Sequence, residues 1–317
     1  MQTLGEAGEE ALVQALQRLL APERPFEVPN GDDAAVWSLP SPRAVATADA
    51  MVEHVHFERA WAPPEALGHK LVAVNVSDLA AMGARPSAAL LTLCLPADTP
   101  WDWALGLAEG LARAARRWGL DIAGGDVTGS PGPAVLNLAA IGTPWADAVL
   151  RRDGAEPGDG IYVTGPLGGA DLGLRLLQGR ATGDAPGAVR RFLWPEPRLD
   201  AGRRLAEWGR CHAAMDLSDG LARDAARMAR ASGVRLVLDL DALPLHPDLR
   251  SRPRAEALAG ACHGGEDYEL LLAAPCPPPV PCTCIGRVES GPAGLAWTAS
   301  GQPATPPPGG SFDHFEP

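Results

Sequence analysis

Apolar residues recur at helical spacing over residues 6–20, where Leu12, Leu16, Leu19 and Leu20 share one side, and this predicts an amphipathic helix. Pro22, Pro25 and Pro29 break the pattern. Gly31 to Val36 reads as a turn entering a strand, and Arg43–Ala48 as another strand, ending at Thr47-Ala48-Asp49. Helices are predicted over 64–82 and 101–118. The second has Thr99 as N-cap, Pro100 at its first position and Gly119 after its end. Leu120–Ala123 and 134–141 read as strands. A boundary falls near 143–152, and the pattern then restarts. It gives a strand at Ile161–Thr164, a glycine-rich turn at Gly165–Gly169 and a helix at Ala170–Leu177. A strand end follows at Ala213–Asp216, then a helix at Gly220–Ala231 and strands at Val234–Leu240 and 267–273. The Pro- and Gly-rich stretch 275–310 reads as a tail of little folding value. Alternating strands and helices in both halves predict two α/β or α+β domains, 1–147 and 148–317.

Composition narrows the function. Hydrophobic residues make up 46% of the chain, enough for sizeable cores. No run of 18 apolar residues occurs, so no transmembrane helix is expected. The acidic start MQTLGEAGEE lacks a basic region before an apolar stretch, and a cytoplasmic protein is expected. A net charge of −12 argues against a nucleic-acid partner. It also sets up repulsion with any anionic substrate, which divalent cations would relieve. Cys276, Cys282 and Cys284 form C-x5-C-x-C, which is not a zinc spacing, and free thiols are expected. Lys70 is the only lysine and lies outside any P-loop, and the protein-kinase signatures are missing. If ATP binds, another architecture binds it.

The candidate chemistry lies in aspartates at element ends: Asp32 and Asp33, Asp49, Asp126, Asp216 and Asp219. Asp78 differs. With Leu67, Leu71, Val74 and Met82 it follows the apolar stripe of a predicted helix. A carboxylate there needs compensation, by a metal ion or by an arginine. Each of the other aspartates alone is an ordinary turn former or N-cap. Together, flanked by glycines and small residues, they suggest a site for several Mg²⁺ ions. Gly124-Gly125 and Gly264-Gly265 would admit close approach of a phosphate. The turn Gly165–Gly169 is either a phosphate cradle or a plain strand-to-helix turn. His56 also reads as a surface histidine, and Glu266 as a simple turn acid.

The stretches GDDAAV (31–36), TADAMVEHVHF (47–57), KLVAVNVSDLAAMGARP (70–86), GGDVT (124–128), LRRDGAEPGD (150–159), YVTGPLGGADLGL (162–174), MDLSDGL (215–221), GGEDYEL (264–270) and FDHF (312–315) run in order along the chain. Read together, they resemble the thiamine-monophosphate kinases of the aminoimidazole-ribonucleotide-synthetase-like superfamily. The resemblance implies a two-domain α+β fold and a homodimer. N-terminal domains would pair into a β-barrel, a C-terminal α/β sandwich domain would follow, and each active site would lie in a cleft between domains. It implies metal contacts from Asp32, Thr47, Ala48 (through its carbonyl), Asp49, Asp78, Asp126, Asp216 and Asp219. Among these, Asp32, Asp78, Asp126 and Asp216 would be the catalytic set. ATP contacts would come from Gly125, Asp126, Arg152 and Ser218, and acceptor contacts from His56, Glu266 and Phe312. The family usually carries glycine two residues before the substrate histidine, where this chain has His54.

The implied reaction moves the ATP γ-phosphoryl group onto thiamine monophosphate, aided by several Mg²⁺ ions, with ATP as co-substrate and neither nucleic acid nor membrane as partner. Selenophosphate synthetases fit poorly, since no cysteine precedes Cys94 and no lysine precedes Lys70. Aminoimidazole-ribonucleotide synthetase, the hydrogenase-maturation relative and a non-catalytic nucleotide or metal sensor stay open as alternatives.

Overall fold

The computed structural model describes residues 2–29 and 34–309. The chain divides into two compact units, Met1–Leu79 with Arg85–Pro144, and Ala80–Ala84 with Trp145–Pro317.

In the first unit, the predicted helix over 6–20 is two helices, α1 (Leu4–Ala7) and α2 (Glu9–Leu19). Gly8 separates them at φ 85°, a conformation that ends α1 and cannot continue a helix. A four-stranded sheet follows in the order β1 (Val45–Val52), β4 (Val135–Pro144), β2 (Ala84–Leu95), β3 (Asp121–Gly129). β1 and β4 are antiparallel and β2 and β3 parallel. Between β1 and β2 runs α3 (Pro64–Ala81), and between β2 and β3 runs α4 (Trp101–Trp118). Thr99 does not cap α4. Its hydroxyl is buried and accepts Nη1 of Arg59, and Pro100 is the N-cap.

Alternation along β1 and β4 sorts the faces of the sheet. Leu136, Leu138 and Ala140 are buried on one face, which β1 continues with Met51, Asp49 and Thr47 opposite them. Ala46, Ala48 and Ala50 are exposed on the other face, on the same side as Asn137, Ala139 and Ile141. The apolar character of α3 extends well beyond the single stripe read from the sequence. Every residue from Ala66 to Ala81 is buried except Asp78, so the helix is a core element.

The second unit carries a seven-stranded sheet in the order β11-β10-β7-β9-β5-β8-β6. These are β5 (Gly160–Val163), β6 (Ala213–Asp216), β7 (Arg235–Asp239), β8 (Leu270–Ala274), β9 (Thr283–Glu289), β10 (Gly294–Ala299) and β11 (Gln302–Ala304). All neighbours are antiparallel except β7 and β10. The helices are α5 (Gly169–Leu177), α6 (Pro186–Leu193), α7 (Leu199–Trp208), α8 (Leu221–Ser232) and α9 (Arg254–His263). A core of Ile161, Val163, Met215, Leu217, Met228, Leu236, Leu271 and Ile285 joins the sheet to α8. The supposed tail therefore supplies three strands. All six cysteines are free.

Candidate functional site

In the first unit the site begins on β1. Alternation turns Thr47 and Asp49 toward the covered face of the sheet, where Thr47 Oγ1 donates to Oδ2 of Asp78 at 2.5 Å. Asp78 is the one position between Ala66 and Ala81 that is not buried, so a stretch of helix that is otherwise core presents a carboxylate beside the strand. The side chain of Ala48 points to the opposite, exposed face. Only its carbonyl is left to act, and β1 is an edge strand, which leaves half of its main-chain groups unused by the sheet.

Gly125 and Asp126 lie on β3, the other edge. A β-bulge at Ala89/Leu90 sets their register, and Asp126 sits exposed beside Thr92. Three strand spacings separate the edges, about 14 Å, so no single ion in this sheet touches Asp49 and Asp126 together.

His56 sits on the turn after β1. Its Nδ1 accepts the Val52 N–H at 3.0 Å, which leaves Nε2 to carry the ring proton. The turn needs a left-handed residue, and His54 supplies it at φ 71°. The Phe57 carbonyl accepts the His54 N–H at 2.9 Å and closes the turn.

In the second unit, two loops are laced together at one end of the sheet. The Leu217 N–H donates to Glu269 O, the Tyr268 N–H to Leu217 O and the Glu266 N–H to Ser218 O, all at 2.8–2.9 Å. These bonds extend the pairing of Asp216 with Leu270 and collect Asp216, Ser218, Asp219 and Glu266 in one cluster. Glu266 and Tyr268 both adopt positive φ, 66° and 49°, a strain that the network must hold.

Sequence reasoning missed what lies beneath. Asp267 is fully buried and accepts the N–H groups of Gly168 at 2.6 Å and Ala170 at 3.2 Å. The N-terminus of α5 is therefore filled by an internal carboxylate, and Gly165–Gly169 is a plain turn, not a phosphate cradle. Burial pushes Asp267 up to about 6, against the Arg191 charge and the two N–H bonds. Glu269, wholly buried, is held by Arg191, Arg198 and Thr164. Burial opposes its charge, but the Arg198 hydrogen bonds and both guanidinium charges prevail and hold it below the usual range. The motif GGEDYEL is thus mostly foundation. Its alternation of acids and buried positions was the only signal available.

Two expectations change. Asp219 does not cap α8, whose N-cap is Gly220 without a side-chain bond. The glycines serve the protein's own backbone: a Cβ on Gly125 would fall 1.7 Å from Leu91 O, and one on Gly265 would fall 2.5 Å from Ser218 O. Arg152 stands apart from the cluster. Its carbonyl accepts Ser232 Oγ at the far end of α8, and 12 helical residues span about 18 Å. Asp32 and Phe312 lie outside the described residues.

Comparison with known proteins decides the family. The N-terminal domain model of AIR synthase related proteins matches residues 31–143, and the C-terminal domain model matches 156–276. A thiamine-monophosphate kinase of Synechococcus elongatus is 38% identical over 281 residues, covering 85% of this chain and 83% of the relative. The chain belongs to the thiamine-monophosphate kinase family. The solved thiamine-monophosphate kinase of Stenotrophomonas maltophilia superposes with a TM-score of 0.79 at 34% identity, covering 94% of this chain and 98% of that one. A structure of AaThiL complexed with AMPPCP and TMP gives 0.77 at 32% identity, covering 99% of each chain. The AIR-synthase-like two-domain α+β fold of these kinases is the fold of this chain.

Proposed function

We propose that this chain transfers the γ-phosphoryl group of ATP to thiamine monophosphate, giving thiamine diphosphate and ADP. The observation that carries the reading is the full-length likeness to AaThiL, a protein described with AMPPCP and TMP bound. Labelling checks it directly. Label from [γ-³²P]ATP should appear in thiamine diphosphate, and its appearance only in inorganic phosphate would mean hydrolysis instead.

The acceptor needs no general base, because a phosphate monoester loses its second proton near pH 6. The barrier is repulsion between two polyanions near an acidic protein. Each unit presents oxygen donors of the kind Mg²⁺ prefers, Thr47, Asp49 and Asp78 in the first and Asp216 and Asp219 in the second. Among the described residues no three acidic, His or Cys side chains form a ready-made cluster. Mg²⁺ tolerates so open a site because it keeps water and phosphate in its shell. Several bound Mg²⁺ ions would neutralise the phosphates and support in-line transfer. Asp32 would add a further ligand and Ala48 a carbonyl.

Gly125, Asp126 and Ser218 would meet the nucleotide, whereas Arg152, at the far end of α8 from Ser218, is not placed to share the phosphates held there. His56, its proton fixed on Nε2, would donate to the acceptor. Glu266 and Phe312 would meet its thiamine part. The exposed alanines Ala46, Ala48 and Ala50 on β1, and the exposed Leu90 on β2, support pairing with a second copy, sheet against sheet.

A further inference from the structure

Asp224 has no part in the reading above, yet its carboxylate is completely buried in the first turn of α8. Oδ2 accepts the backbone N–H of Asp219 at 3.0 Å, and Oδ1 accepts Nη1 of Arg227 at 2.8 Å. The same Nη1 lies 2.6 Å from Oδ2 of Asp219. Arg223 stands farther off, with Nε at 3.9 Å from that oxygen. An acid in a first helical turn ordinarily serves the helix dipole. This one turns both oxygens back toward Asp219 and its counter-ion.

We propose that Asp224 and Arg227 are positioning residues that set the orientation and the effective charge of Asp219 toward a divalent cation bound with phosphate. The inference rests on the reading of Asp219 as a ligand. Asp224 fixes the main chain of Asp219 and shares the Arg227 guanidinium with its side chain. Half of that cation is engaged by Asp224, so Asp219 keeps charge to offer a metal. The two carboxylates and Arg227 together carry −1. Asp224→Asn brings the trio to zero and turns Arg227 wholly onto Asp219. Arg227→Gln takes it to −2 and frees Asp219. The two substitutions therefore act in opposite directions, which loss of mere scaffolding would not produce.

The test is a Mn²⁺ titration of the full-length protein with AMPPCP, read by electron paramagnetic resonance, with melting curves for every variant. Asp224→Asn should weaken Mn²⁺ binding about tenfold, the effect of roughly one screened charge at this range. Arg227→Gln should tighten it about threefold or more by the same argument, and Arg227→Lys should restore wild-type binding. Equal weakening by Asp224→Asn and Arg227→Gln, in step with lowered melting temperatures, would reduce the trio to scaffold and overturn the proposal. Asp219→Asn separates the two levels. If it weakens Mn²⁺ binding while the other variants fail to diverge, the ligand reading stands and the positioning inference falls. If it changes nothing, Asp219 is no ligand and both fall.

Discussion

Asp78 is the residue of the first unit on which the proposed chemistry would depend most. The sequence left it between a metal and an arginine, and the structure puts the hydroxyl of Thr47 against it at the one break in the buried run Ala66–Ala81. Asp78→Asn keeps the shape and removes the charge. Transfer should fall by at least a hundredfold at limiting Mg²⁺ while the melting temperature stays within a few degrees, since a metal-held phosphate accounts for several kcal/mol of transition-state stabilisation. Near-normal turnover would contradict the role. His54 carries a different lesson. A non-glycine residue in the left-handed region costs about 1 kcal/mol, and its exposed pairing with Glu58 returns little. His54→Gly should leave thermal stability unchanged or slightly raised and the KM for thiamine monophosphate unchanged. A drop of many degrees would show that the His54–Glu58 pair holds the turn.

Asp267 makes a prediction in pH. Its folded value of about 6 exceeds the unfolded value near 3.9. Folding thus favours its neutral form, and that contribution is fully present below about pH 4 and lost as pH rises through about 6. Asp267→Asn stays neutral throughout. In urea unfolding it should gain on the wild type between pH 4 and 7, by up to about 3 kcal/mol. A variant that falls further behind as pH rises would show that Arg191 and the two N–H donors outweigh burial.

At the scale of elements, periodicity revealed those segments whose burial is one-sided or whose ends are punctuated. α5 and α8 carry their glycines where a helix must start or stop. β2 escaped because Leu91, Leu93 and Leu95 alternate with Leu90, Thr92 and Cys94, which are themselves largely apolar, so no polar phase marks the strand. β9 to β11 escaped because proline flanks them and they are short, and sheet pairing decides their state. The aspartates were noticeable as a group, of which the structure gathers Asp216 with Asp219 and sets Asp78 against Thr47. Asp267 and Asp224 were not, since nothing local distinguishes a carboxylate facing a helix end from one facing solvent. The exposed sheet face gives this scale its prediction. Leu90, 46% exposed in an apolar setting, should lie in the interface of a pair. Leu90→Asp should shift the protein toward monomer in sedimentation, and an unaltered dimer would place the interface elsewhere.

For the whole molecule, charge and chemistry must agree. A chain of net −12 that handles two phosphate compounds needs cations between itself and them. On the proposed reading those cations would make the acceptor's phosphate its handle and so set the order of acceptors. The measurement that bears most directly on the central claim is ADP release under saturating Mg²⁺ and ATP with three additions: thiamine monophosphate, thiamine, or no acceptor. ADP should form rapidly with thiamine monophosphate and at background rates with the other two, because thiamine offers an alcohol without an anionic oxygen. Equal release with all three, or efficient turnover of free thiamine, would contradict the account.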